Sequence, residues 1–378
     1  MAKIIFRHYK KGDEKQLSEL FNLAFKRKVI ERTPIGWQWR YIRSPGFEPE
    51  MCKVAEDVDK KKIVGSILVN LIEKIPIGHE EYLVGDINDV ATHPSYTNRG
   101  IAKRLMEHSI KYMREKKCDF SLLNTGIKGF ARSRLYQKLG YKDIEKQHYF
   151  IQIPYIPHFI KNIFGFCLFI PAFFAISHIP RYLNRLRIKS ITFFKDFSYE
   201  IHDNDEHIKY MDSTNRISPK IYEGYPKYDI TKFNWLRVNV PTDQQKPTYV
   251  FVRKNEKIIG GSLITHQKLN FFKSKLMIKF GIIHEIFLDN SIFNNTHNLL
   301  FGYIYLIDKI MRAATHRKLG LLLYISSFKN LTLNQAFKKM HFFKILNDII
   351  MVKELKKDLK FPKLNKPLYV PTYVSLGF

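Results

Sequence analysis

The sequence predicts an α/β fold of two tandem units, each a mixed, twisted sheet flanked by helices, joined by a hydrophobic helical linker. Three observations predict it. The 378 residues exceed a comfortable single core, and with 45% hydrophobic and 14% aromatic residues they can fill two. Strand-like and helix-like periodicities alternate along the chain, as they do in layered α/β domains. The chain also repeats itself. Trp37-Gln38-Trp39-Arg40-Tyr41, then Pro45, then Lys62-Ile63-Val64-Gly65-Ser66 is echoed by Phe233-Asn234-Trp235-Leu236-Arg237, then Pro241, then Lys257-Ile258-Ile259-Gly260-Gly261-Ser262. The offset is 196 residues at Trp39/Trp235, 195 at Lys62/Lys257 and 201 at Tyr136/Phe337. The duplicated unit covers residues 1–152 and 200–358. Residues 153–199 form the linker, and 359–378 an extended, proline-containing tail.

In the first unit, Lys3–Tyr9 reads as a strand. Asp13 can cap a helix whose apolar face is Leu17, Leu20, Phe21 and Ala24. Met51–Ala55 and Ile63–Leu71 read as strands around a turn at Asp57–Lys62. The Tyr82–Thr92 strand, the Ile101–Lys117 helix and the Phe120–Asn124 strand follow, then a helix ending at Gly140, which suits a left-handed cap. In the second unit the strand Gly281–Leu288 places Glu285 as the counterpart of Asp89.

Composition narrows the function. Three cysteines (Cys52, Cys118, Cys167) lie far apart with neither disulfide nor metal spacing, which fits a reducing, cytoplasmic setting and predicts no metal. The N-terminus is charged from its third residue and has no apolar signal region. The net charge of +28 fits solubility, a polyanionic ligand or an anionic membrane. It is spread along the chain without the interleaved basic and aromatic residues of a nucleic-acid site, so no nucleic acid is expected.

The chemistry concentrates in Asp86-Ile87-Asn88-Asp89-Val90-Ala91-Thr92-His93-Pro94-Ser95-Tyr96-Thr97-Asn98-Arg99-Gly100-Ile101-Ala102-Lys103-Arg104-Leu105. A strand ends at Pro94 and a helix begins near Gly100, which leaves the first helical N–H groups pointing outward as a ready pyrophosphate site. Gly100 permits close backbone approach. This segment resembles motif A of the GNAT acetyltransferase superfamily. Thr97 stands where the family usually has Gln or Arg, while Gly100 and Ala102 are correctly placed. Arg134-Leu135-Tyr136-Gln137-Lys138-Leu139-Gly140-Tyr141 resembles the family's Leu-Tyr-x-Lys-x-Gly-Phe segment, although Gly129 and Arg132 replace the usual upstream Asn and Ala.

The resemblance implies two tandem GNAT-like domains and an acyl-CoA-dependent N-acyltransferase that moves an acetyl group from acetyl-CoA to a primary amine of a small molecule or peptide. It implies that Val90, Ala91 and Thr92 hold the pantetheine arm, and that Thr97, Asn98, Arg99, Gly100, Ile101, Ala102 and Lys103 cradle the pyrophosphate, with Asn124 also in the cofactor groove. Tyr136 would protonate the leaving thiolate, and Asp89 would be the amine-facing carboxylate. Asp86 and Asp89 have odd spacing, so strand alternation puts them on opposite faces and at most one meets the amine. A solvated or capping aspartate is the alternative for each. The second unit has no glycine in Ser291–His297 and has Phe337 at the tyrosine position, so it is expected to bind no CoA productively. Two other readings remain open. One is an aminoacyl or long-chain acyl transferase of tandem type, and the other a degenerate CoA-binding or membrane-associated scaffold.

Between the units, Asn162–Pro180 carries no formal charge and is followed by Arg181, Arg185, Arg187 and Lys189. Packing between the units is the first reading of the 159–189 segment. Peripheral contact with a membrane is the second, and a spanning helix the last.

Overall fold

A computed structural model describes residues 3–25, 32–155, 179, 182–203, 206–238, 245–271 and 276–369. Of the hydrophobic segment foreseen at 159–189, residues 159–178, 180 and 181 lie outside the described residues.

The first half begins with β1 (Ile4–His8), α1 (Glu14–Ala24) and the short α2 (Pro34–Trp37). The strands β2 (Cys52–Asp57), β3 (Lys62–Ile77) and β4 (Glu80–Thr92) lead into α3 (Ile101–Glu115), β5 (Phe120–Gly126) and β6 (Lys142–Gln152). Residues 182–190 form α4. The second half repeats the order with β7 (Phe197–His202), α5 (His207–Ile221), α6 (Ile230–Phe233), β8 (Gln245–Lys254), β9 (Lys257–Phe271) and β10 (Leu276–Leu288). It closes with α7 (Thr296–His316), β11 (Leu321–Ser327), α8 (Leu331–Lys339) and β12 (Phe343–Glu354). Asp13 precedes α1 as foreseen, but its carboxylate does not cap the helix. It is taken by the Arg7 guanidinium at 2.9 Å and the Lys10 N–H at 2.8 Å. Between β5 and β6 the expected helix is a π-helical turn, Arg132–Tyr136, followed by a 3-10 turn, Gln137–Leu139. Gly140 ends it at φ 85°, the left-handed cap that the sequence indicates.

The described strands form one sheet in the order β1-β2-β3-β4-β5-β12-β6-β11-β10-β9-β8-β7. The order reads the same from either edge once each strand is matched with the one six places later. The C-terminal strands are exchanged. β12 pairs with β5 (Asp348–Glu354 against Phe120–Gly126), and β6 pairs with β11 (Gln147–Gln152 against Leu322–Ser327). The exchanged strands also pair with each other, so neither half closes its sheet alone. A second link lies at the repeated tryptophans. Trp39 Nε1 donates to the Trp235 carbonyl at 2.9 Å, and Trp235 Nε1 donates back to the Trp39 carbonyl at 2.8 Å.

Helices cover both faces. α3 packs Leu105, Met106 and Met113 on Ile67, Val69 and Ile87, and α7 covers the same face in the second half. Gly85 makes the close approach possible, because a Cβ there would lie 2.4 Å from the Met113 sulfur. α1 packs Leu17, Leu20 and Phe21 on Leu68 and Ala91, which face the other way. The tail lies on this second face, where Leu364 and Leu368 meet Ile75, Val84, Phe120 and Ile350.

Candidate functional site

β4 and β5 pair in parallel only over Val84–Ile87 and Phe120–Leu123. Beyond these residues no ladder joins them, and the strands open a gap between Asn88–Thr92 and Asn124–Gly126. β4 bulges here, so that Asp89 and Val90 together stand opposite Ile67. Asp89 takes φ 53°, a left-handed conformation that an aspartate tolerates better than most residues. Val90 leans into the α3-side core, Ala91 is buried on the opposite face, and Thr92 pairs with Gly65.

At the end of β4 a 3-10 turn, Pro94–Tyr96, leads to Asn98 at φ 62° and Gly100 at φ 75°. Gly100 is the N-cap of α3 and brings no capping side chain, so the first-turn N–H groups of Ile101, Ala102 and Lys103 have no side-chain cap. The loop is held from outside the site. Thr97 Oγ1 donates to the Pro94 carbonyl at 3.1 Å. Arg99 donates to the Ser95 carbonyl at 3.3 Å and lies over the Tyr96 ring, whose hydroxyl is anchored on Asp57 at 2.6 Å. Among the described residues the Lys103 ammonium approaches only the exposed Glu107, at 3.8 Å. The result is an open, positive helix terminus beside the gap, a geometry suited to a pyrophosphate.

Tyr136 sits below the gap on the α3 side, 7% exposed, in contact with the cluster of Leu123, Ile87 and Tyr141. Its hydroxyl has no hydrogen-bond partner among the described residues, and burial pushes its pKa up. The phenol therefore holds its proton at neutral pH.

The two aspartates of β4 correct the sequence expectation. Gly85 and Ile87 face α3, so Asp86 faces the α1 side. Asp89 does too, because the bulge breaks the alternation on which the opposite-face argument rested. Asp89 is held by Arg32, whose Nη2 donates to Oδ1 at 3.0 Å, and by a short hydrogen bond from the Tyr41 hydroxyl. The Arg32 guanidinium stacks 3.4 Å above the Phe21 ring. Both members of the Arg32–Asp89 pair are buried, with 4% and 7% of their side chains exposed. Arg32 went unforeseen, since nothing in the local sequence ties it to a strand 57 residues on.

Asp86 is set differently. It is half-buried, and among the described residues its side chain accepts one hydrogen bond, from Asn88 Nδ2 at 2.7 Å. Burial pushes its pKa up to about 7, with Glu73 raising it and Arg40 opposing. The same face continues across the exchanged strands. Asn124 donates to Gln147 at 2.9 Å, Glu145 accepts from the Leu368 N–H at 3.1 Å, and Asp348 accepts from the Tyr149 hydroxyl at 2.5 Å. Burial raises the pKa of both Glu145 and Asp348.

The corresponding place in the second half is filled. β10 and β11 pair in parallel over Phe280–Ile283 and Leu321–Tyr324, but Phe337 is stacked between Phe150 and Tyr324, with centroids 5.0 and 4.9 Å away. The N-terminus of α7 is capped by the Asn295 side chain, which accepts the Asn298 N–H at 2.8 Å. The β10 bulge puts His284 and Glu285 opposite Leu263. The pairs flanking this bulge, Ile283 with Ile264 and Leu288 with Gly260, repeat Ile87 with Val69 and Thr92 with Gly65, so the register matches Glu285 with Asp89 and Ile286 with Val90. Glu285 accepts from Tyr369 at 2.5 Å, Tyr228 at 2.9 Å and Arg237 at 3.3 Å. The adjoining cavity measures about 30 Å³, room for one water.

Comparison with known proteins fits this geometry. Residues 6–144 match the acetyltransferase (GNAT) domain family. The matched segment runs from β1 to the start of β6 and contains both the β4–β5 gap and the open N-terminus of α3. Among curated proteins, N-alpha-acetyltransferase 30 of Saccharomyces cerevisiae is 28% identical over 137 residues, 36% of this chain and 68% of that protein. Among solved structures, Saccharomyces cerevisiae N-myristoyltransferase with bound myristoyl-CoA superposes over 93% of this chain and 78% of its own, with a TM-score of 0.66 and 11% identity. A GCN5-related N-acetyltransferase from Anabaena variabilis covers 94% of this chain and 73% of its own, with a TM-score of 0.59 and 13% identity. At these identities the structural likeness shows the fold alone.

Proposed function

We propose that the chain transfers an acetyl group from acetyl-CoA to a primary amine, in a single site in its first half. The observation that carries this reading is the uncapped N-terminus of α3 beside the β4–β5 gap, with a free phenol on one face of the gap and a carboxylate of pKa about 7 on the other. The N–H groups of Ile101, Ala102 and Lys103, with Thr97, Asn98, Arg99 and Gly100, receive the pyrophosphate. The backbone of Val90, Ala91 and Thr92 takes the pantetheine arm along the gap opposite Asn124. Bound acetyl-CoA supplies the activated thioester.

Asp86, rather than Asp89, is the base in this reading. Asp89 is already engaged by Arg32 and Tyr41, whereas Asp86 has a single hydrogen-bond donor among the described residues and a pKa suited to neutral pH. Asp86 takes the ammonium proton, the amine nitrogen bonds to the carbonyl carbon, the carbon–sulfur bond breaks and Tyr136 protonates the thiolate, its proton being replaced through solvent by the second proton that the nitrogen loses as it becomes an amide. Asp89 with Arg32 fixes the bulge that shapes the gap. The carboxylates Asp86, Glu145 and Asp348 on the acceptor face favour a cationic acceptor, a small amine or a peptide N-terminus. We assign residues 1–152 as the catalytic unit, 200–358 as the unit that walls the acceptor cleft, and the cytoplasm as its place of work.

The test is Tyr136→Phe assayed on a panel of amines with acetyl-CoA and with longer acyl-CoAs. General acid help to a thiolate of pKa about 8.5 sits at the low end of the usual range, so kcat should fall about tenfold with acetyl-CoA affinity unchanged. Full kcat would remove Tyr136 from the mechanism. A preference for long acyl-CoAs would overturn the acetyl assignment.

A further inference from the structure

Helix α4 is apolar on two sides. Inward, Ile188 is 5% exposed in the second-half core, and Asn184 donates to the Lys339 carbonyl at 3.2 Å. Outward, Tyr182, Leu183 and Leu186 are 59%, 48% and 45% exposed. Their i, i+1, i+4 spacing makes one stripe, and Ile179, 55% exposed, continues it. A soluble helix ordinarily turns charge outward at such positions. Charge flanks the stripe instead. Arg187 and Lys189 are exposed and form no ion pair among the described residues.

The surface extends past the helix. Arg185 lines an open depression of about 650 Å³ together with Tyr199, Ile201 and Arg312. Its own partner, Asp308, is 2% exposed and shared with Lys309 and Arg312, so one buried acid faces three cations. Apolar side chains at the centre and unneutralised cations at the rim have the chemistry of an interfacial surface.

We propose that the outer face of α4, with the β7 edge beside it, docks on an anionic lipid surface. The apolar stripe enters the acyl boundary while Arg187 and Lys189 meet the headgroup charges. The charge complementarity selects this occupant. A second copy of this chain, itself strongly basic, would bring like charge to the same rim. The docking face lies on the second half, away from the β4–β5 gap, so it needs none of the residues given to acyl transfer.

The test uses the full chain carrying Tyr182→Trp. The native tryptophans Trp37, Trp39 and Trp235 are 2%, 6% and 5% exposed and form a fixed blue background. The new indole should emit as a water-exposed group in buffer. It should shift to the blue with phosphatidylcholine vesicles containing phosphatidylserine, and not with phosphatidylcholine alone. Arg187→Glu with Lys189→Glu should weaken vesicle binding at least tenfold, given the usual strength of each basic contact. Emission already blue before lipid is added would mean that the chain itself covers the stripe, and the proposal falls. Equal binding to neutral vesicles, or binding untouched by the charge reversals, overturns it as well. Retained acetyl-CoA binding in both variants separates these outcomes from a folding defect.

Discussion

Asp86 and Asp89 stand three residues apart on one strand, yet the fold gives them opposite settings. Asp86 has a folded pKa near 7 against an unfolded value of 3.8. The native state therefore holds this proton where the unfolded chain has released it, and the group's contribution to stability falls as pH rises from about 4 to 7. Activity runs the other way, because a base must be ionised. We expect kcat/KM to fall about tenfold per pH unit below about 7, and Asp86→Asn to remove most of the activity along with that limb of the profile. A profile unchanged in Asp86→Asn would transfer the role to another group. For Asp89 the relevant measurement is stability. Arg32→Ala leaves a buried carboxylate without its cation, and urea denaturation should record a loss of about 3 kcal/mol, against less than about 1 kcal/mol for an exposed pair. These residues also show what the sequence could and could not reveal. Gly140 was legible because a left-handed helix end favours glycine, and Gly100 because a phosphate site asks for close backbone approach. The shared face of the two aspartates was not, because a bulge is a matter of pairing and leaves no trace in a single strand's alternation.

The two long helices that follow the bulged strands, α3 and α7, share a place in the repeat and differ at their first turn. At α3 a left-handed glycine leaves the N–H groups open, whereas at α7 an asparagine closes them. Gly100→Glu should abolish acetyl-CoA binding by calorimetry while circular dichroism reports an intact fold, since the change adds a negative side chain and backbone strain at the phosphate position. Asn295→Ala should do the reverse, lowering stability by about 1 kcal/mol and leaving cofactor affinity unchanged. The loss of glycine from 291–297 and the substitution of Phe337 for the tyrosine were both readable as a missing site. The aromatic stack that fills the place, Phe150–Phe337–Tyr324, was not readable, because Phe150 comes from the first half across the exchanged strand.

At the scale of the molecule, the repeat was visible but its closure was not. Alternating apolar residues announce a strand without naming its neighbour, and β6 and β12 have the same pattern whether they pair at home or abroad. The exchange makes the boundary near residue 152 a boundary of repetition, with no complete sheet on either side of it. The intact chain should unfold in a single cooperative calorimetric transition, and residues 1–152 produced alone should give no cooperatively folded monomer by ultracentrifugation and circular dichroism. Two separate melting transitions would show that the halves are independent after all.

The exchange also gives the protein a timetable. β5 ends at Gly126, and its partner β12 is complete only at Glu354. At about 5–20 residues per second, a ribosome needs roughly 10–45 s to synthesise what lies between. Throughout that interval the edge of β5, which borders the β4–β5 gap, has no native strand to bond. The nascent chain thus passes through a long stage in which that edge is exposed and the gap unfinished, and the gap is complete only once β12 has been translated.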